Sequence, residues 1–131
     1  MKHPIHSLSL SGSCRRSTNA GSDPRLERAI QFFDQRFPER VTMKEAARVA
    51  GLSPDHFVEV FRLAVGCTPH QYLVRRRLRH ARQLIAAEGH RGSLAEIALA
   101  AGFFDQAHLT RYFRRAFGQS PAQWREQTAQ R

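Results

Sequence analysis

The feature that most constrains this chain is an internal repeat. The segment TMKEAARVAGLS (Thr42 to Ser53) returns as SLAEIALAAGFFD (Ser93 to Asp105), 51 positions on. Thr42-x-x-Glu45 and Ser93-x-x-Glu96 both have capping-box form, in which the cap hydroxyl and the third residue's side chain satisfy each other's free backbone donors. Each opens a short Ala-rich segment that stops at a glycine, Gly51 or Gly102, suited to the left-handed turn that closes a helix. Beyond the glycine the offset becomes 52. Ser53 then pairs with Asp105, Phe57 with Leu109, Phe61 with Phe113, Gly66 with Gly118, Thr68-Pro69 with Ser120-Pro121, and Tyr72 with Trp124. The second copy therefore carries one extra residue in its turn. A short helix, a tight glycine turn and a second helix form the helix-turn-helix pattern, here built twice.

The remainder of the chain fits around this repeat. Residues 1–22 are serine-rich and have no helical period, so a disordered tail is expected there. Asp23-Pro24 supplies a cap and a first-turn proline. Leu26, Ile30, Phe33 and Phe37 then mark one helical stripe, ended by Pro38. No segment alternates polar and apolar residues as a half-buried strand would. The expected class is all-α. Two helix-turn-helix subdomains with homeodomain-like helical units lie at about 42–66 and 93–118. They are joined by a linking helix at about 69–88 and followed by a C-terminal helix at about 121–127, in a domain spanning 23–127.

Charge narrows the function. Lys and Arg number 21 against 11 acids in 131 residues, a formal net charge of +10, and all but Lys2 and Lys44 are arginine. Such an excess favours a polyanionic partner, and arginine gives planar two-point contacts to phosphate and to guanine. No run of about 18 apolar residues exists to cross a membrane. Cys14 and Cys67 stand far apart without a CxxC, against a zinc ribbon or a disulfide scaffold, and Cys67 is expected to be a packed residue rather than a reactive one. The seven histidines form no HExxH, and neither a nucleophile elbow nor a phosphate-binding Gly-rich loop is present. No catalytic residue, metal or cofactor is therefore expected.

In a DNA-binding helix-turn-helix the second helix enters the major groove, its N-terminal part against base edges. In the first unit Phe57, Val60, Phe61 and Ala64 form the stripe expected to be buried, and Asp55, Val58, Glu59 and Arg62 the opposite one. In the second, Leu109, Tyr112, Phe113, Ala116 and Phe117 are expected inside, with Ala107, Thr110, Arg111 and Arg114 outside. His56, Gln106 and His108 sit near the helix starts. Arg111 suits guanine O6 and N7, and Thr110 a thymine methyl or a phosphate. Asp55 and Glu59 repel phosphate, and their specific use is to accept from a cytosine amine. The plainer alternative for Glu59 is a pair with Arg62. The linking helix, roughly 30 Å long at about 1.5 Å per residue, approaches the roughly 34 Å of one DNA turn. It therefore suits two recognition helices in successive major-groove segments. Its arginine cluster, Arg75, Arg76, Arg77, Arg79 and Arg82, is partly available to phosphates. The alternative is that Arg75, Arg79 and Arg82 simply form a solvated face, and each arginine taken singly is expected to be solvated or structural.

The segment IALAAGFFDQAHLTRYFRRAFGQSPAQWR (Ile97 to Arg125) resembles the AraC/XylS family of bacterial transcription regulators, and AARVAGLSPDHFVEVFRLAVGCTPHQYL matches it more loosely. The family often has arginine where Glu59 stands here, and a tyrosine where Trp124 stands. The resemblance implies a sequence-specific, double-stranded-DNA-binding regulator, an activator more than a repressor. It also implies a cytoplasmic, nucleoid-associated protein. Only about 22 residues precede the first helix, so the chain is similar to the short stand-alone members, which bind DNA as monomers and recruit RNA polymerase. Two alternatives remain at this point: the DNA-binding piece of a larger effector-sensing regulator, and a non-specific architectural protein.

Overall fold

A computed structural model describes residues 23–88 and 92–129, and these form seven helices: α1 (Pro24–Arg36), α2 (Met43–Ala50), α3 (Pro54–Val65), α4 (Pro69–Glu88), α5 (Leu94–Ala101), α6 (Gln106–Phe117) and α7 (Pro121–Ala129). The expected tail at 1–22 and the expected stop of α4 at Gly89 lie outside the described residues. The all-α class matches the sequence expectation. Helices α2 and α3, and α5 and α6, each follow one another across a short turn at a glycine, and α7 ends at Ala129. The chain divides into two units between Leu73 and Val74, inside α4.

In the first unit local chemistry sets each helix end. Asp23 accepts from the Arg25 N–H at 3.0 Å to start α1. Thr42 and Glu45 complete the capping box of α2, with Thr42 N–H to Glu45 Oε1 at 2.9 Å and Glu45 N–H to Thr42 Oγ1 at 3.0 Å. Gly51 then takes φ +76°, and the Gly51 and Leu52 N–H groups close on the carbonyls of Arg48 and Ala47. The small Ala46, Ala47 and Ala50 are fully packed. Phe33, Phe57, Phe61 and Val65 fill the core, Phe61 edge-on to Phe33 and to Tyr72. The Tyr72 hydroxyl donates to Asp34 at 2.9 Å, so its polar end is satisfied. Val60 and Ala64 are only half-buried, while Val65 takes the deeper place. Cys67 is buried and is not a free thiol.

The second unit repeats the scheme with Leu94, Ile97, Ala98 and Ala101 of α5 against Leu109 and Phe113 of α6 and Val74, Leu78, Ala81 and Ile85 of α4. Tyr112, Ala116 and Phe117, expected inside, are half-buried along its edge. Ser93 accepts from the Ala95 and Glu96 N–H groups. Only this half of the expected box forms, and the Glu96 side chain is exposed. Two further boxes begin α4 and α7: Thr68 with Gln71 and Ser120 with Gln123, each with both bonds made. Both glutamines sit at the third helical position, so these boxes extend the repeat.

Arg75 is a structural residue and no part of a solvated face. It is 4% exposed, and burial lowers its pKa, with Arg79 adding repulsion. The reason is that α4 supplies Tyr72 and Leu73 to one core and Val74 to the other, so it lacks a single wet side. Arg82 lies over the Phe117 ring at 4.7 Å, a packed cation–π contact. Of the five arginines only Arg79 is exposed.

The turn glycines give a direct test. A methyl at Gly51 meets no atom within 4 Å. Gly51→Ala therefore costs only the left-handed backbone, about 1–2 kcal/mol, and chemical denaturation should register a loss of that size without a change of fold.

Candidate nucleic-acid interface

The second helix of each unit begins immediately after its tight turn and offers an exposed face. On α6 the chemistry is one-signed. Gln106, Ala107, Thr110, Arg111, Arg114 and Arg115 line one shallow concave surface. Spacing explains this: residues three and four apart on a helix are neighbours. Gln106, Ala107, Arg111, Arg114 and Arg115 are exposed, and Thr110 is half-buried between them. Asp105 caps the helix by accepting the His108 N–H at 2.8 Å, so its carboxylate serves the helix start.

The sequence reading placed four of these six residues, Ala107, Thr110, Arg111 and Arg114, on one face, set Gln106 near the helix start and missed Arg115. Its signal was present, since Arg115 lies four positions after Arg111, but it falls between the two stripes. His108 goes the other way. Its ring packs edge-on to Phe103 at 5.5 Å and to Tyr112 at 5.0 Å. Burial lowers its pKa, Arg111 and Arg77 push in the same direction, and Asp105 opposes them.

On α3 the face is mixed. Asp55, His56, Glu59 and Arg62 are exposed, and Val58 is half-buried. Glu59 approaches His56, Nδ1 to Oε1 at 4.0 Å, and not Arg62. The physical reason is that helical side chains lean toward the N-terminus, so Glu59 reaches back one turn. Leu63, not singled out from the sequence, is 78% exposed. Two acids therefore stand against one arginine on α3, whereas α6 presents three arginines.

Among the described residues no group of His, Cys, Asp and Glu is arranged to hold a metal ion, and no helix is long and apolar enough to cross a membrane. What the α6 face can do is donate: three guanidiniums and an amide lie along one helical side, at the reach of a groove edge or a phosphate.

A helix-turn-helix domain family matches residues 46–127. The probable transcriptional regulator LumQ of Photobacterium leiognathi is 34% identical over 93 residues, which are 71% of this chain and 37% of LumQ. Among solved structures, an AraC-type DNA-binding-domain regulator from Chromobacterium violaceum superposes with a TM-score of 0.74 at 31% identity, covering 86% of this chain and 98% of that one. The DNA-binding domain of the global transcriptional factor AdpA, in complex with a target DNA, gives 0.72 at 30% identity, covering 80% and 92%. The chain spans little more than a third of the length of the curated regulators it matches.

Proposed function

The chain belongs to the AraC/XylS family of helix-turn-helix proteins, and from that premise we propose that it is a sequence-specific DNA-binding transcription regulator acting as an activator. The observation that carries this reading is the arginine-lined concave face of α6, exposed directly after a glycine-closed turn. Helices so placed in this motif enter the major groove. Gln106, Ala107, Thr110, Arg111, Arg114 and Arg115 form the stronger reading face, with Arg111 on guanine and Arg114 and Arg115 toward phosphates. Asp55, His56, Val58, Glu59 and Arg62 form the weaker one, Glu59 accepting from a cytosine amine. The protein works on the chromosome in the cytoplasm, binds as a monomer because one chain holds two reading units, and recruits RNA polymerase.

Equilibrium binding across a salt series tests this. Each phosphate contact should steepen the fall of log K with log salt by about 0.9. A specific protein keeps its preferred duplex at physiological salt under excess competitor. Equal loss from every duplex would instead mean a non-specific architectural protein. A second reading draws on length: the relatives are nearly three times as long as the matched region, and the same face would serve as the DNA-binding part of a longer, effector-sensing regulator.

A further inference from the structure

The two recognition helices carry histidine at the same place, the third helical position, and use it differently. In the first unit the His56 N–H reaches Ser53 Oγ at 3.3 Å, while its ring stands exposed with Nδ1 4.0 Å from Glu59. In the second the His108 N–H reaches Asp105 Oδ1 at 2.8 Å, and its Nδ1 accepts the Phe104 N–H at 3.2 Å. Among the described residues, three other helices hold a glutamate or glutamine oxygen at this position, bonded to the cap residue's own N–H: Glu45, Gln71 and Gln123. His108 is thus the acceptor arm of a capping box displaced by one residue. The displaced donor is Phe104, the residue by which the second turn exceeds the first, and its own side chain is 73% exposed. Its backbone is held by the imidazole, and the imidazole is held between Phe103 and Tyr112.

We propose that His108, neutral and carrying its proton on Nε2, is a positioning residue that ties the longer turn of the second helix-turn-helix to α6, so that acidification releases the turn and weakens DNA recognition by this unit. The proposal rests on the DNA-binding reading above for its functional half only. A glutamate or glutamine oxygen in a box remains an acceptor through the mildly acidic range. An imidazolium has two donors and no acceptor, so protonation abolishes the Phe104 bond. The charged groups facing the ring are Asp105 and Arg111 on α6 and Arg77 on α4. The two arginines and burial outweigh Asp105 and hold the imidazole below its usual range. As pH falls, the unfolded chain therefore takes up this proton before the folded one. The stability contributed is complete above the unfolded value and is lost as pH drops through the lower folded value. His80 shifts in the same direction, so only a site-specific readout assigns the effect. The direction is also diagnostic, because a histidine that merely faced phosphates would strengthen binding on protonation.

Nitrogen-15 NMR of the full chain tests the lock without DNA. Near neutral pH His108 should show the Nε2–H tautomer, and the Phe104 amide resonance should move with the same midpoint as the His108 ring. His108→Asn places an oxygen where Nδ1 stood and cannot titrate, so its Phe104 amide should stay fixed through that range. On the preferred duplex, wild type should weaken on the acid side relative to His108→Asn by roughly fivefold, the size of one cap interaction. His108→Phe keeps a ring between Phe103 and Tyr112 without an acceptor and should bind weakly at every pH. An Nδ1–H tautomer, a Phe104 amide indifferent to the ring's titration, or identical pH profiles for wild type and His108→Asn would each overturn the proposal. If the NMR result is as expected while no duplex binds at any pH, the turn lock stands and the DNA-binding reading has failed.

Discussion

Phe61→Ala should lower the stability of the first unit by about 3–5 kcal/mol, the range for truncating a fully buried aromatic. Phe61 is 0% exposed and meets three rings, with centroids 6.1 Å from Phe33, 5.6 Å from Phe57 and 5.8 Å from Tyr72. Removing it opens a cavity that α1, α3 and the start of α4 all line, so no single side chain can move in to fill it. A core this small supplies only about 3–5 kcal/mol in total, so the unit should lose its cooperative transition in urea. Leu63→Ala is the control on the same helix. That side chain is 78% exposed, and its loss should change stability by less than about 0.5 kcal/mol. Equal effects at the two positions would mean that α3 packs through a different face.

The second large effect concerns binding. Arg111→Ala should cost about 1–3 kcal/mol on the preferred duplex and relax the preference at one base pair. Its guanidinium is exposed in the middle of the α6 face, one turn after Ala107 and one before Arg115, where a two-point contact to guanine is geometrically natural. Arg115→Ala should behave differently. Placed in the last helical turn, it should weaken all sequences alike and reduce the salt slope by about one. Titrations of both variants against a matched set of single-base-pair substitutions separate the roles. Uniform loss for Arg111→Ala would reassign it to phosphate.

Much of the fold was legible because the signals that end helices are local. Asp23, Thr42, Ser53 and Asp105 all accept from the backbone positions their spacing implies, and Gly51, Gly66, Gly102 and Gly118 all take positive φ. The boxes at Thr68–Gln71 and Ser120–Gln123 were equally readable and went unread behind their prolines. What could not be read is whatever depends on a neighbouring element. Arg75 looks like its four arginine neighbours in sequence and is buried only because α4 contributes to two cores. Glu59 left a choice of partners that only side-chain direction decides. His108 was legible as a residue at a helix start. Its role depends on the ring of Tyr112 and on the backbone of the residue that lengthens the turn.

The acids on α3 cost affinity near phosphates, so α6 should carry most of the binding, with α3 adding discrimination at few positions. Selection of binding sites from random duplex DNA, at moderate salt with excess non-specific competitor, measures this directly. A bipartite motif should emerge, its stronger half lost in Arg111→Ala and its weaker half altered in Glu59→Ala. Failure to enrich any sequence, despite binding at low salt, would contradict sequence-specific recognition.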